Sequence, residues 1–111
     1  MLPLCSSVIT VGRRVVAAAW RSADGWRTNI ARGARAEAAE LPPGWIEMSL
    51  AAARAVGAEY AGVDLLPATS GEVFVLEVNG IPGWRGVQAT TELDIADAIV
   101  RHAEDLVARR R

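Results

Sequence analysis

The sequence predicts an α+β fold, an antiparallel sheet packed by two helices. Paired β-branched and apolar runs flank short turns, as hairpins do, and two other segments repeat apolar residues at helical spacing. The elements run strands, helix, strands, helix, which is the order of the α+β class.

The first hairpin is expected from Val8 to Val11 and Val15 to Trp20, joined at Gly12 and Arg13. A turn at Ser22 to Gly25 leads into WRTNIARGARAEAAELPPG, where strand-like pieces alternate with Arg, Asn and Gly until Pro42 and Pro43 stop regular structure. From Trp45, the residues Ile46, Leu50, Ala53 and Val56 recur at helical spacing, and Gly57 follows as a C-terminal cap. AEYAGVDLLPA and EVFVLEVN then read as a second hairpin around TSG. The last helix is expected to begin at Thr91, an N-cap with Asp94 three residues on. Its apolar stripe comprises Leu93, Ile95, Ala96, Ile99, Val100, Ala103, Leu106 and Val107.

A chain of 111 residues is one domain at most, and one of this size buries roughly two-thirds of its unfolded surface. Hydrophobic residues make up 51% and charged residues 23%, with a net charge of −1, which argues against a disordered tail and against nonspecific nucleic-acid binding. All 12 basic residues are Arg, so a Lys contact to phosphate must come from elsewhere. Cys5 is the single cysteine and forms neither an internal disulfide nor a Cys-based zinc site. With no export signal or spanning run at the start, a cytoplasmic chain without membrane contact is expected. Arg109 to Arg111 suit a helix C-terminus, and His102 needs no role.

The chemistry gathers in the second hairpin. If its turn centres on Ser70 and Gly71, residues whose numbers sum to 141 face one another, which sets Asp64 opposite Glu77. Asn79 points the same way, while Val63, Leu65, Phe74, Leu76 and Val78 are expected on the other face, leaving the sheet polar above and apolar below. Opposed carboxylates have Cβ atoms about 5 Å apart and repel, so a bound cation is the natural compensation. Oxygen-only ligands suit Mg²⁺ or Mn²⁺, with substrate phosphates and water completing the shell. Simple solvation of an open sheet face explains the same three residues, and a one-residue slip of register destroys the pairing.

The loop NGIPGWRG offers Gly80, Gly83 and Gly86, expected to allow positive φ and close backbone approach, but it lacks a phosphate-binding Lys and Ser/Thr. Arg85 can clamp an anion or be solvated, and Trp84 can wall a pocket or cap the core. In WRTNIARG, Arg27 and Asn29 share a face, and Arg21 and Arg32 extend either a cationic floor or an exposed edge.

Taken together, WRTNIARG, GAEYAGVDLL and VLEVNGIPGWRGVQATTELDIADAIV resemble the C-terminal part of an ATP-grasp ligase, nearest the RimK-type α-L-glutamate ligases, over roughly residues 8–107. The resemblance implies that residues 1–111 are a single partial domain of that fold. It implies Mg- or Mn-ATP, two ions in the complete site, and a carboxylate joined to an amine through an acyl phosphate. By the same resemblance Asp64, Glu77 and Asn79 hold metal, Arg27, Thr28 and Asn29 bind nucleotide, and Arg21 assists catalysis, whereas Arg85 is a catalytic candidate only through its own capacity to clamp an anion. The sequence departs from the family at Ala34, where a second Gly is usual after Gly33, and at Arg85.

The family's N-terminal domain, its Lys-bearing subdomain and its ATP-covering loop have no counterpart here. The chain alone is therefore expected to be inactive, completed by an N-terminal ATP-grasp segment or a separate chain docking on an exposed apolar surface. A non-catalytic module binding metal or nucleotide, or a truncated remnant, remains the alternative.

Overall fold

Gly12 and Arg13 close a hairpin between β1 (Leu4–Val11) and β2 (Arg14–Ser22) in the computed structural model, which describes residues 4–22, 37–88 and 90–109. Gly12 adopts a φ of 60°, the left-handed region in which L side chains are strained. Near this turn Ile9 pairs with Ala17 but Thr10 with Val15, so Val16 is an extra residue and turns inward beside Ala17. The short β3 (Glu37–Ala38) pairs with Ala19 and Trp20 of β2.

The second hairpin joins β4 (Tyr60–Pro67) to β5 (Val73–Asn79), and the antiparallel sheet has the order β3-β2-β1-β4-β5. It carries apolar residues on both faces, a correction to the expected division into a polar and an apolar side. Val8, Ala18, Val63 and Leu65 pack under the first helix, whereas Ile9, Val11, Ala17 and Ala19 pack under the last. Alternation makes this necessary: neighbours such as Val8 and Ile9 point to opposite faces, and both are buried.

Helix α1 (Pro43–Ala55) starts two residues before the expected Trp45. Pro43 stands at the first helical position, where its missing N–H and fixed φ do no harm, so it opens the helix rather than stopping regular structure. The end is as expected: Gly57 has a φ of 72°, its N–H donates to the Arg54 carbonyl at 3.0 Å and the Ala58 N–H to the Ala53 carbonyl at 2.9 Å. The packed face is rotated from the expected stripe. Trp45, Met48, Ser49, Ala52 and Ala53 meet the sheet, while Val56 is 62% exposed. An edge-on contact between Trp45 and Trp20, ring centroids 5.7 Å apart, helps hold that orientation.

After the short helix α2 (Arg85–Gln88), helix α3 (Ile95–Arg109) begins later than Thr91. Asp94 is its cap, accepting the Asp97 N–H at 3.1 Å, whereas the Thr91 hydroxyl accepts the Leu93 N–H in a local turn at 3.2 Å. Gln88 bridges the two helices: its amide oxygen accepts the Ile95 N–H at 3.0 Å and its amide nitrogen donates to the Leu93 carbonyl. Asp94→Ala should destabilise the chain by about 1 kcal/mol in urea unfolding, and Thr91→Ala by clearly less.

Only the start of α3 packs closely on the sheet, through Ile95, Ala98 and Ile99; Val100 and Val107 of the expected stripe are exposed. Farther along, His102 lies against the hairpin turn at Gly12 and accepts or donates a 2.7 Å hydrogen bond with Glu59. The residue assigned no role is thus a contact between helix and turn. Among the described residues no helix is long and apolar enough to cross a membrane.

Candidate functional site

The carboxylate pair owes its register to two local features. The turn closes with the Gly71 N–H on the Ala68 carbonyl at 3.0 Å and the Ala68 N–H on the Glu72 carbonyl at 2.7 Å. Pro67, Leu66 and Leu65 consequently pair with Val73, Phe74 and Val75, one residue off the expected register. Leu76 is then skipped, and beyond it Asp64 faces Glu77, Val63 faces Val78 and Gly62 faces Asn79. The expected opposition of Asp64 and Glu77 is present because a β-bulge offsets the turn by one residue.

The bulge also redistributes the apolar residues of β5. Val63, Leu65 and Val78 lie on the α1 face as expected, joined by Val73, but Phe74 pairs with Leu66 and so shares the face of Asp64. Phe74 and Leu76 do not pack under α1: they are 48% and 53% exposed. Along β1 the same face carries Ser7, opposite both Asp64 and Ala19, so one row across the sheet reads Ala19, Ser7, Asp64, Glu77. Arg21 pairs with Cys5, two residues along β1 from Ser7.

Asn79 ends β5, and its side-chain oxygen accepts the Ile81 N–H at 3.0 Å. Pro82 then folds back onto Gly62, where a Cβ would come within 2.8 Å of the Pro82 Cβ. The Tyr60 hydroxyl donates to the Pro82 carbonyl at 2.5 Å, and Trp84 meets the Tyr60 ring edge-on with centroids 6.3 Å apart. Trp84 packs against the core beneath α3. Positive φ occurs, among the described residues, at Gly12, Gly57 and Gly71, so Gly80 and Gly83 do not adopt the left-handed conformation expected of them. The Asn79 side chain and the anchored Pro82 shape the loop instead.

The structure therefore brings together Asp64, Glu77 and Asn79. Arg27, Thr28 and Asn29 lie outside the described residues, as do the side chains of Arg21 and Arg85. Two carboxylates and an amide oxygen are a hard, oxygen-only donor set. No third His, Cys, Asp or Glu completes a metal cluster with them among the described residues. That composition fits Mg²⁺ or Mn²⁺, which take few protein ligands and leave positions for phosphate and water. The Asn79 oxygen has a second lone pair beyond the one given to Ile81. Tyr60, Gly62 and Pro82 were missed in the sequence, although a Gly within a strand is a signal of close approach by another segment.

Comparison with known proteins gives a consistent result. The family model described as the RimK-like ATP-grasp domain matches residues 6–103. A tetrahydromethanopterin:alpha-L-glutamate ligase of Methanococcus maripaludis is 40% identical over 93 residues, 84% of this chain and 32% of that protein. A ribosomal protein bS6--L-glutamate ligase of Escherichia coli is 41% identical over 98 residues, 86% of this chain and 32% of that protein. The chain thus spans about a third of the length of these relatives. Among solved structures, the ATP-grasp ligase PsnB, complexed with a phosphomimetic variant of its minimal precursor, Mg and ADP, matches with a TM-score of 0.69. The two are 24% identical, and the match covers 93% of this chain and 34% of PsnB, a likeness of fold.

Proposed function

Given that this chain belongs to the RimK-like ATP-grasp family, we propose that it forms one wall of the Mg-ATP site of a carboxylate-amine ligase of the glutamate-ligase type. The observation that carries the reading is Asp64 directly opposite Glu77, with Asn79 at the end of the same strand. In this reading the three side chains hold Mg²⁺ or Mn²⁺, and Arg27, Thr28 and Asn29 line the nucleotide. Arg21 and Arg85 face charge that develops during phosphoryl transfer. The bound metal supplies charge neutralisation at the phosphates.

No protein nucleophile takes part. A substrate carboxylate oxygen bonds to the γ-phosphorus as the bond to ADP breaks, giving an acyl phosphate. The amine nitrogen then bonds to the acyl carbon, phosphate leaves, and the amine surrenders a proton. The chain's own contribution is to fix positions and to place opposite charge where the phosphates sit.

The remainder of the site falls to residues beyond this third of the family's length. Exposed Phe74, Leu76 and Ile81 beside the carboxylates favour a docked segment or bound substrate there. Such a ligase works where ATP is available, which suits the cytoplasm.

Electron paramagnetic resonance of Mn²⁺ titrated into the purified chain tests the reading. Saturable binding that Mg²⁺ competes away is expected, and a chain that leaves Mn²⁺ free at millimolar concentration overturns it. With no Lys in the chain, no ADP should form when the chain alone is mixed with ATP, glutamate and Mg²⁺. ADP release by the chain alone would refute the proposed dependence on further segments.

A further inference from the structure

We propose that Tyr60 is the positioning residue of this candidate metal centre: its hydroxyl, by holding the Pro82 carbonyl, fixes the loop that aims the Asn79 side-chain oxygen. The inference rests on the reading that Asp64, Glu77 and Asn79 take a divalent cation.

Asn79 is the last residue of β5, and nothing in the regular ladder restrains its amide. The orientation of its oxygen follows the Ile81 N–H, which it accepts at 3.0 Å. Ile81 cannot anchor itself, since it is 89% exposed. The hold comes from its neighbour: Pro82 is buried against Gly62, and its carbonyl accepts the Tyr60 hydroxyl at 2.5 Å. Trp84 then braces the Tyr60 ring from the edge.

Tyr60, Gly62 and Asp64 alternate along one face of β4. One rigid strand therefore carries a ligand carboxylate, the glycine that admits the loop and the phenol that ties it down. Asn79 faces Gly62 across the ladder, so its oxygen is held relative to Asp64 from both sides: by the β5 backbone and by the returning loop. Partners that orient a metal ligand commonly account for about 10- to 100-fold in affinity. Burial pushes the Tyr60 phenol up from its ordinary value of 10.0, which keeps it the neutral donor that the Pro82 carbonyl needs.

The test compares the native chain with Tyr60→Phe, which keeps the ring against Trp84 and removes the donor. Mn²⁺ affinity is measured by paramagnetic resonance, and exchange of the Ile81 amide hydrogen is followed by NMR without metal. Tyr60→Phe should weaken Mn²⁺ binding about tenfold and speed Ile81 exchange, while amides in β1 and β2 keep their protection. A variant that unfolds more easily but keeps both native Mn²⁺ affinity and native Ile81 exchange overturns the proposal.

If Tyr60→Phe does not fold, Pro82→Gly, which removes the Cβ and Cγ that lie against Gly62 and frees the backbone whose carbonyl Tyr60 holds, should give the same pair of changes. Asp64→Asn separates the two readings. Mn²⁺ binding that survives Asp64→Asn defeats the metal reading, whereas binding lost in Asp64→Asn but intact in Tyr60→Phe defeats the role of Tyr60 alone. A raised phenol value means that its contribution to stability is complete below pH 10 and is lost as pH climbs through the folded value. In metal-free buffer the native chain should show that alkaline loss, and Tyr60→Phe should lack it.

Discussion

Asp64→Asn is expected to abolish the rise in thermal midpoint that Mn²⁺ gives the native chain. A ligand that binds only the folded state adds about 1.4 kcal/mol for each tenfold excess over its Kd, and each kcal/mol moves the midpoint of a domain this size by roughly 4–8 °C. A hundredfold excess should therefore raise the native midpoint by ten degrees or more on that scale. The asparagine keeps the shape and one acceptor oxygen of Asp64 but removes the charge that makes a divalent cation worth binding. Glu77→Gln should remove the metal effect as well. Without metal, Glu77→Gln should stabilise the chain by about 0.2–1 kcal/mol, because it relieves a like-charge pair directly across the ladder. A Mn²⁺ response in Asp64→Asn equal to the native one would show that cations bind elsewhere.

Gly12→Ala should lower the unfolding free energy by about 1–3 kcal/mol. Two costs combine. The φ of 60° at Gly12 is strained for alanine, and a Cβ there would stand 2.6 Å from the His102 Cε1 and 2.8 Å from its Nδ1. Left-handed strain costs on the order of 1–3 kcal/mol, and the His102 ring must swing off the turn, giving up its 2.7 Å hydrogen bond with Glu59. In the double variant Gly12→Ala, His102→Ala the steric part disappears and the strain stays, so the two changes should be clearly non-additive in urea unfolding. Mn²⁺ affinity should be unchanged in the folded Gly12→Ala chain, since the turn follows Val11, which pairs with Tyr60, whereas Asp64 pairs with Ser7 in the middle of β1. Additive losses would mean that the helix yields freely around the new methyl group.

The elements most legible in the sequence were those with local punctuation. Gly57 ended α1 because its positive φ completes a capping pattern that the sequence announces, and the two hairpins followed from β-branched runs separated by glycine turns. Helix faces were less legible. Val56 and Val100 fit a helical period, yet each points away from the sheet, because period alone does not say which arc of a helix meets its neighbour. The start of α3 was misplaced because Thr91 and Asp94 are both good caps. The choice between them was made by Gln88, which binds the first turn from another helix, a tertiary contact that no local pattern contains.

The site followed the same division. Spacing groups Asp64, Glu77 and Asn79 on the premise of an unbroken register, which the chain does not have. Asp64 and Glu77 meet because an extra residue at Leu76 compensates for a turn one residue longer than expected, closed between Ala68 and Glu72, and the displaced Phe74 is the record of that difference. The anchoring of the loop by Tyr60 and Gly62 was invisible because it depends on residues about twenty positions apart meeting across a returning chain.

The bulge at Leu76 has a consequence for how the chain behaves at high concentration. β5 is the last strand in the described sheet order, and it presents Phe74, Val75 and Leu76 with neither Lys nor Pro to discourage another strand from pairing. A continuous edge of that composition would be a template for stacking copies into fibres. The extra residue interrupts the regular row of N–H and C=O groups between Val75 and Glu77, so an incoming strand finds only short stretches in register on either side. The irregularity that sets Asp64 opposite Glu77 should thus also guard the exposed edge against self-association.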